Sequence, residues 1–323
     1  MTRTHTLLFA GALVLALLLA GCAQSSAPAS SAVAPSAPSS SAAMAPIILV
    51  TSFTPVDQFV RAVAGNDARV TMLIPPGAEP HDFEPTPSDA KALSSAKAFF
   101  YVGDEMEPWA KGLAQSANPS ITLAPLSSSV SLAVNPVANA PGFEGNDLSS
   151  DPHIWLSPHI AQSEVVYIRD TLAAADPVHA SDYQKNAAAY LARLQSLDAQ
   201  YRAGLASCRS HTLITSHAAL GYLASDYNLT QVPIAGISPD EEPSPAQLIN
   251  VINTARAANA TAVFIEPGVS PKLAQAVASE LNIPALEFNA IEIISPADQQ
   301  AGKDYVSLMQ DNLQALRQGL GCQ

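Results

Sequence analysis

The chain has few basic residues. Lys and Arg number 15 against 28 Asp and Glu, which gives a formal net charge of −13 over 323 residues. Nucleic-acid binding depends on Lys and Arg placed at phosphates, and no basic run occurs, so we expect no nucleic-acid partner. The sequence also lacks an HExxH pair and a nucleophile elbow, which are typical of zinc hydrolases and serine hydrolases. These absences argue against an enzyme.

The chain begins with a short apolar run rather than a membrane span. Arg3 precedes Leu7–Leu19, thirteen residues that suit the apolar region of a secretory signal and are short for a bilayer. The run ends Leu19-Ala20-Gly21-Cys22, which resembles the lipobox of bacterial lipoproteins. We therefore expect residues 1–22 to be a lipoprotein signal peptide, with a lipid attached to the sulfur of Cys22.

The next segment, residues 23–45, is made almost wholly of Ala, Ser and Pro. It has too few large apolar groups to offset the entropy cost of ordering, so it predicts a disordered tether. Together with the lipid, this tether predicts an extracytoplasmic protein anchored to the cell membrane, at the cell surface or in the periplasm.

Cysteine is scarce as well, with three residues in the whole chain. Once Cys22 is assigned to the lipid, Cys208 and Cys322 remain as a pair. Outside the cytosol such a pair is expected to be oxidised, and two free thiols are the alternative. Closing a loop of this size stabilises a fold by up to roughly 4–5 kcal/mol in the chain-entropy model.

Apolar segments of strand length alternate with helical patterns along the rest of the chain, and this alternation predicts parallel sheets covered by helices. Helices are predicted at about 159–175 and 177–205, between two sets of four strands. The predicted strands are Ile47–Thr51, Arg69–Ile74, Ala98–Val102 and Ile121–Ala124, then Thr212–Thr215, Gln231–Ala235, Ala262–Ile265 and Ala285–Phe288.

The predicted fold is therefore α/β, with two lobes that each contain a four-stranded parallel sheet flanked by helices. We expect an N-terminal lobe over 46–176, a long linking helix over 177–205 and a C-terminal lobe over 206–323. Several helix starts are predicted from a capping residue or a first-turn proline. They are Thr54-Pro55, Ser88, Ser244-Pro245 and Ser270-Pro271, with a further helix around Met106–Gln115 and a last one from Asp304 to Gln318.

Three histidines follow predicted strands of these sheets. His81, His153 and His217 are 72 and 64 residues apart, so each comes from a different part of the fold. Ligands of open α/β sheets bind beyond the carboxyl ends of the strands, and neutral imidazole is a common ligand of zinc. The sequence thus predicts a metal site in the cleft between the lobes. Asp82 or Asp151 is a candidate to orient imidazoles from behind the site.

Five stretches of the chain carry distinctive motifs, which are Pro80–Pro87 (PHDFEPTP), Asp151–Pro158 (DPHIWLSP), Ile214–Leu223 (ITSHAALGYL), Glu242–Leu248 (EPSPAQL) and Val263–Pro267 (VFIEP). In these motifs the chain resembles the metal-binding lipoproteins of zinc and manganese ABC transporters, over essentially all of residues 46–323. The resemblance implies a metal-type periplasmic binding protein fold with a rigid linking helix and one metal buried between the lobes. It also implies delivery to a membrane ABC permease driven by a cytoplasmic ATPase. We expect a monomer.

The resemblance implies that His81, His153 and His217 are metal ligands, but the fourth ligand departs from the family pattern. Many relatives carry an Asp soon after the last strand of the second lobe, where this chain has none until Asp298. Glu292 is the nearest carboxylate and our candidate. Glu266 is held in reserve, and a water molecule is the third possibility.

Three imidazoles favour Zn²⁺, whereas more carboxylates would suit Mn²⁺. We therefore expect Zn²⁺ as the transported ion, with Mn²⁺ or Fe²⁺ as the alternative. Two other classes compete with this interpretation. One is a secreted metallohydrolase, which would need a general base and an open coordination position. The other is a surface adhesin, because some relatives were first described in that role.

Overall fold

The computed structural model describes residues 45–133, 150–241 and 243–323 of the chain. Residues 45–323 form one compact unit. The predicted signal peptide 1–22, its lipidation site Cys22 and all of the predicted tether 23–45 except Ala45 lie outside the described residues. None of the helices in the described part is long and apolar enough to cross a membrane.

The described residues contain eight strands and ten α-helices. The strands are β1 (Ile47–Thr51), β2 (Ala68–Met72), β3 (Ala98–Tyr101), β4 (Thr122–Pro125), β5 (Thr212–Thr215), β6 (Thr230–Pro233), β7 (Val263–Ile265) and β8 (Ala285–Glu287). The helices are α1 (Thr54–Ala64), α2 (Pro87–Ser94), α3 (Ala110–Ala117), α4 (Pro158–Ala175), α5 (Ala180–Leu205), α6 (Gly221–Asp226), α7 (Pro245–Ala257), α8 (Lys272–Leu281), α9 (Pro296–Gln300) and α10 (Tyr305–Leu320).

The strands form two four-stranded sheets of the same topology. The first has the order β2-β1-β3-β4 and the second the order β6-β5-β7-β8. Every neighbouring pair is parallel. The side chains of β3 and β5 are buried throughout, as expected where helices cover both faces of a parallel sheet. The predicted fold class, two α/β lobes with four parallel strands each, is confirmed.

The predicted start of a helix at Thr54-Pro55 is confirmed, because α1 begins at Thr54; the capping position is occupied by Phe53, and no side chain caps the helix. Two other predictions of helix starts were wrong. Helix α2 is capped by Thr86 rather than Ser88, since Thr86 and Asp89 form a reciprocal capping box. Helix α3 begins at Ala110, four residues after Met106, because turns at Gly103 precede it.

The predicted helix 177–205 divides at its start. Residues Pro177–His179 form one 3₁₀ turn, and α5 begins at Ala180. The Asp176 carboxylate lies 2.6 Å from His179 Nδ1 and accepts a hydrogen bond from Tyr183 at 2.8 Å. These two contacts hold the junction, and α5 then packs against α1, α4 and α10. One continuous apolar core joins the two lobes around these helices.

A disulfide joins Cys208, just beyond α5, to Cys322, just beyond α10, and their Cα atoms are 3.8 Å apart. Backbone hydrogen bonds from Arg209 and Ser210 to the carbonyl of Leu320 lie beside it. The end of the chain is therefore fastened to the start of the second lobe.

Candidate metal centre

His81, His153 and His217 are each placed by the segment that follows a strand. His81 lies in the loop after β2, and its backbone N–H donates to Oε1 of Glu79 at 3.1 Å. His153 lies after β4 and directly before a 3₁₀ turn. His217 follows β5, where the hydroxyl of Thr215 donates to its carbonyl at 2.7 Å. All three come from the carboxyl-terminal edges of the sheets.

Glu292 reaches the same point from the segment after β8. Its side chain is 3% exposed, and those of His153 and His217 are fully buried. Oε1 of Glu292 lies 3.3 Å from Nε2 of His153, 3.6 Å from Nε2 of His217 and 3.9 Å from Nε2 of His81. One candidate ligand atom from each of the four residues lies within 4.8 Å of all the others.

This spacing fits a metal of tetrahedral geometry. Bonds of about 2.0–2.1 Å to zinc place neighbouring ligand atoms about 3.3–3.4 Å apart in a tetrahedron. Nε2 of His217 and Nε2 of His153 are 3.3 Å apart, which agrees with that value. Nε2 of His81 and Oε1 of Glu292 are buried and have no hydrogen-bond partner among the described residues. Buried polar atoms normally have partners, so these two atoms indicate a place for a cation.

Two carboxylates lie behind the imidazoles and fix their orientation. Oδ1 of Asp151, one of the two predicted candidates, is 2.8 Å from Nδ1 of His153. Oε1 of Glu266 is 2.8 Å from Nδ1 of His217. In both rings the Nδ1 atom is therefore engaged, and Nε2 faces the cluster. Glu266, the reserve candidate for the fourth position, stands outside the four clustered atoms.

The electrostatics of the cluster follow from burial and from the single carboxylate at its centre. Burial, together with the neighbouring imidazoles, lowers the pKa of His81 to about 3. Burial alone would also lower the pKa of His217, but Glu266 and Glu292 outweigh it and raise that pKa well above its ordinary value. The imidazoles of His217 and His153 in turn hold the pKa of Glu292 below its ordinary value despite burial. In the metal-free cluster these shifts favour an ionised Glu292 beside a protonated imidazole.

Sequence reasoning missed several residues that lie beside this site. Burial and the nearby Glu292 raise the pKa of Glu79 to about 7, and Glu79 supports the backbone of His81. The one sequence signal that could have identified Glu79 is its position in the loop after β2, two residues before His81. Asn312 on α10 makes two hydrogen bonds to the backbone of Asn289, in the segment that leads to Glu292, and no local pattern marks it.

The fold and the four clustered side chains define a two-lobed α/β binding protein with a candidate metal centre between its lobes. The chain belongs to the family described as zinc-uptake complex component A, periplasmic, which matches residues 49–319. That description is of an uptake component and agrees with the expectation that the chain is not an enzyme.

Individual relatives support the same assignment. The chain is 34% identical over 283 residues to zinc-binding protein AdcA of Streptococcus pyogenes serotype M6; the match covers 83% of this chain and 55% of that protein. The chain therefore spans about half the length of the first curated relatives it matches. It is also similar to the crystal structure of the Zn(II)-bound ZnuA-like domain of Streptococcus pneumoniae AdcA. The TM-score is 0.72 at 36% identity, and the match covers 85% of this chain and 99% of that one.

A further structural neighbour is laminin-binding protein Lmb of Streptococcus agalactiae, which is described as bifunctional, with adhesin and metal-transporting activity. Its TM-score is 0.75 at 31% identity, and the match covers 85% of this chain and 99% of that one.

Proposed function

We propose that this chain is an extracytoplasmic binding protein that captures Zn²⁺ between its lobes, with His81, His153, His217 and Glu292 as ligands. The observation that carries the proposal is the spacing of four buried ligand atoms within 4.8 Å, two of them without a hydrogen-bond partner in the described part of the chain. Membership of a family described as a zinc-uptake component supports it.

The ligand set favours zinc over its competitors. Three imidazoles and one carboxylate suit a tetrahedral, borderline-soft ion, whereas Mn²⁺ takes more oxygen ligands and a higher coordination number. Glu266 and Asp151 are engaged with imidazole Nδ1 atoms and so do not supply those oxygens. The ligand set therefore favours Mn²⁺ and Fe²⁺ less than Zn²⁺ as the transported ion.

Metal analysis tests this assignment directly. The protein is purified without chelator, added metal or His-tag, and its metal content is measured by mass spectrometry. We expect one zinc per chain. Protein that retains manganese or iron in place of zinc, or that takes up no zinc when it is offered, would contradict the proposal.

We further propose that the bound ion is handed to an ABC permease whose energy comes from a cytoplasmic ATPase, and that the protein acts as a monomer. The lipid on Cys22 and the tether 23–45 would keep the binding unit close to that permease. Substituting Cys22→Ser should release the protein from membranes or leave it unprocessed. Continued membrane association with normal processing would argue against the lipid anchor.

Adhesion is the second candidate function, favoured by the similarity to the laminin-binding protein Lmb. The two functions are separable by a variant such as His217→Ala, which removes a proposed zinc ligand and leaves the outer surface unchanged. If adhesion is a separate activity, binding to laminin-coated surfaces survives in this variant while zinc-limited growth fails. Absence of laminin binding in the unmodified protein would remove this candidate.

A further inference from the structure

The residue before Glu292 has an unusual backbone conformation. Ile291 has φ +63°, in the left-handed region, and its side chain is fully buried. The other non-glycine residues with positive φ in the described part of the chain are all asparagines, which tolerate that region. A β-branched residue does not tolerate it, so Ile291 is strained and other contacts must hold it in place.

The first of these contacts comes from Asn312 on α10. Its Oδ1 accepts the backbone N–H of Asn289 at 2.8 Å, and its Nδ2 donates to the carbonyl of Asn289 at 2.7 Å. The side chain of Asn289 then accepts the backbone N–H of Ile291 at 2.7 Å. One buried amide on a helix thus fixes the turn that leads into the strained residue.

The second contact comes from the first lobe. The indole N–H of Trp155 donates to the carbonyl of Ala290 at 2.8 Å. The carbonyl of Trp155 in turn accepts the hydroxyl of Tyr305, the first residue of α10, at 2.6 Å. Trp155 lies two residues after His153, so the segments that carry a ligand from each lobe are joined to each other and to α10.

We propose that Asn312 and Trp155 are positioning residues, which hold the turn Asn289–Ile291 in its strained form so that the carboxylate of Glu292 stays against the histidines. This inference rests on the proposed zinc site. Without these contacts Ile291 would relax to negative φ, the chain direction would change there, and the carboxylate would withdraw. A carboxylate held in one position suits four-coordinate zinc, whereas a mobile one can supply the additional oxygen contacts of a six-coordinate ion.

The test compares two variants with a matched control in the full chain. Asn312→Leu removes both bonds to Asn289, and Trp155→Phe removes the bond to Ala290 while keeping an aromatic ring. The control is Tyr201→Phe, because the buried hydroxyl of Tyr201 also donates to a backbone carbonyl of α10, that of Met309, at 2.6 Å, away from the turn. Each protein is titrated with zinc against a chromophoric chelator, and the visible absorption of its Co²⁺ complex is recorded.

We expect both variants to raise the zinc Kd by about ten- to a hundredfold, the range found for residues that support ligands, and to weaken the strong absorption of four-coordinate Co²⁺. Tyr201→Phe should lower stability to denaturant and leave the Kd and the spectrum unchanged. Variants that lose stability but keep both readouts would overturn the inference, and Trp155→Phe decides the matter if Asn312→Leu fails to fold. The variant Glu292→Gln distinguishes failure of the proposed zinc site from failure of the positioning role. Unchanged zinc affinity and Co²⁺ spectrum in that variant would overturn the four-ligand site itself.

Discussion

Nδ1 of His217 lies 2.8 Å from Oε1 of Glu266, and the imidazole of His217 is fully buried. This contact requires the proton of the neutral ring to stay on Nδ1, which leaves Nε2 free to bind a metal. Glu266 thereby sets the orientation and the basicity of His217 without supplying one of the four clustered ligand atoms.

Replacing Glu266 by Gln should therefore weaken zinc binding by roughly ten- to a hundredfold, because the ring loses its charged partner. Glu266→Ala should weaken it further. The measurement is competitive zinc titration, with Glu280→Gln as the control, since Glu280 is an exposed carboxylate paired with Arg256. Unchanged affinity in Glu266→Ala would show that the contact does not support the site.

Zinc binding should release protons. Burial alone would lower the pKa values of His217 and His153, but the adjacent carboxylates outweigh it and raise both above their ordinary value, so the metal-free site holds a proton that zinc must displace. The stability that this proton gives the metal-free protein is fully present below the ordinary pKa of about 6.5, and is lost as pH rises through the raised value. Zinc affinity changes in the opposite direction and falls as pH decreases.

Calorimetric zinc titration in buffers of different ionisation enthalpy counts these protons. At pH 6.5, the ordinary histidine value, both raised pKa values lie above the pH, so we expect protons to be released on zinc binding, and fewer in Glu292→Gln, which lacks the central negative charge. Binding without proton release at that pH would contradict the electrostatic description of the site.

Glu164 predicts a separate effect of pH on stability. It lies fully buried on α4, and neither carboxylate oxygen has a hydrogen-bond partner among the described residues. Burial raises its pKa to about 8. Between the unfolded value of about 4.3 and this folded value, the folded state holds a proton that the unfolded state has lost. The free energy of unfolding therefore falls as pH rises through that window.

In Glu164→Gln this slope should be absent. Relative to pH 4, the variant should gain roughly 3–5 kcal/mol over the unmodified protein by pH 8, from the size of the pKa shift. Urea unfolding of the metal-free proteins at a series of pH values measures the difference, and comparison with the exposed Glu280→Gln corrects for general charge effects. A difference that does not vary with pH would show that Glu164 is not held neutral.

The disulfide between Cys208 and Cys322, which are 114 residues apart in sequence, should resist alkylation until it is reduced, because neither sulfur is a free thiol. Reduction should lower the free energy of unfolding by up to roughly 4–5 kcal/mol in the chain-entropy model. Mass spectrometry after alkylation, with and without reductant, checks the first expectation, and urea unfolding checks the second. Two thiols that are labelled at once in the exported protein would contradict the pairing.

The parts of the site that follow from sequence are those encoded locally. His81, His153 and His217 each follow a strand that alternation predicts, and parallel strands bring their carboxyl ends to one edge. Glu292 is the nearest carboxylate after the last strand, and it lies in the cluster. Each of these ligands is placed by the strand that precedes it in the chain, so a single sequence is enough to predict their positions.

The remaining parts depend on contacts between distant segments. Asn312 acts on Asn289, 23 residues away, and Trp155 acts on Ala290, 135 residues away. The left-handed conformation of Ile291 contradicts its own preference and is imposed by those partners. Nothing in the local sequence could have predicted them. The cap of α2 was predicted wrongly for a different reason. Thr86 and Ser88 are both acceptable caps, and hydrogen bonds between Thr86 and Asp89 decide in favour of Thr86.

The central claim is that three imidazoles and one carboxylate hold a single zinc ion. Competitive zinc titration of His153→Ala tests it most directly, with His159→Ala as the control, an exposed histidine six residues away on α4. Loss of one of four ligands should cost roughly 3 kcal/mol or more, which raises the Kd at least a hundredfold, judged from the 10–16 kcal/mol of whole zinc sites. His159→Ala should bind as the unmodified protein does. Equal zinc affinity in His153→Ala and the unmodified protein would contradict the site.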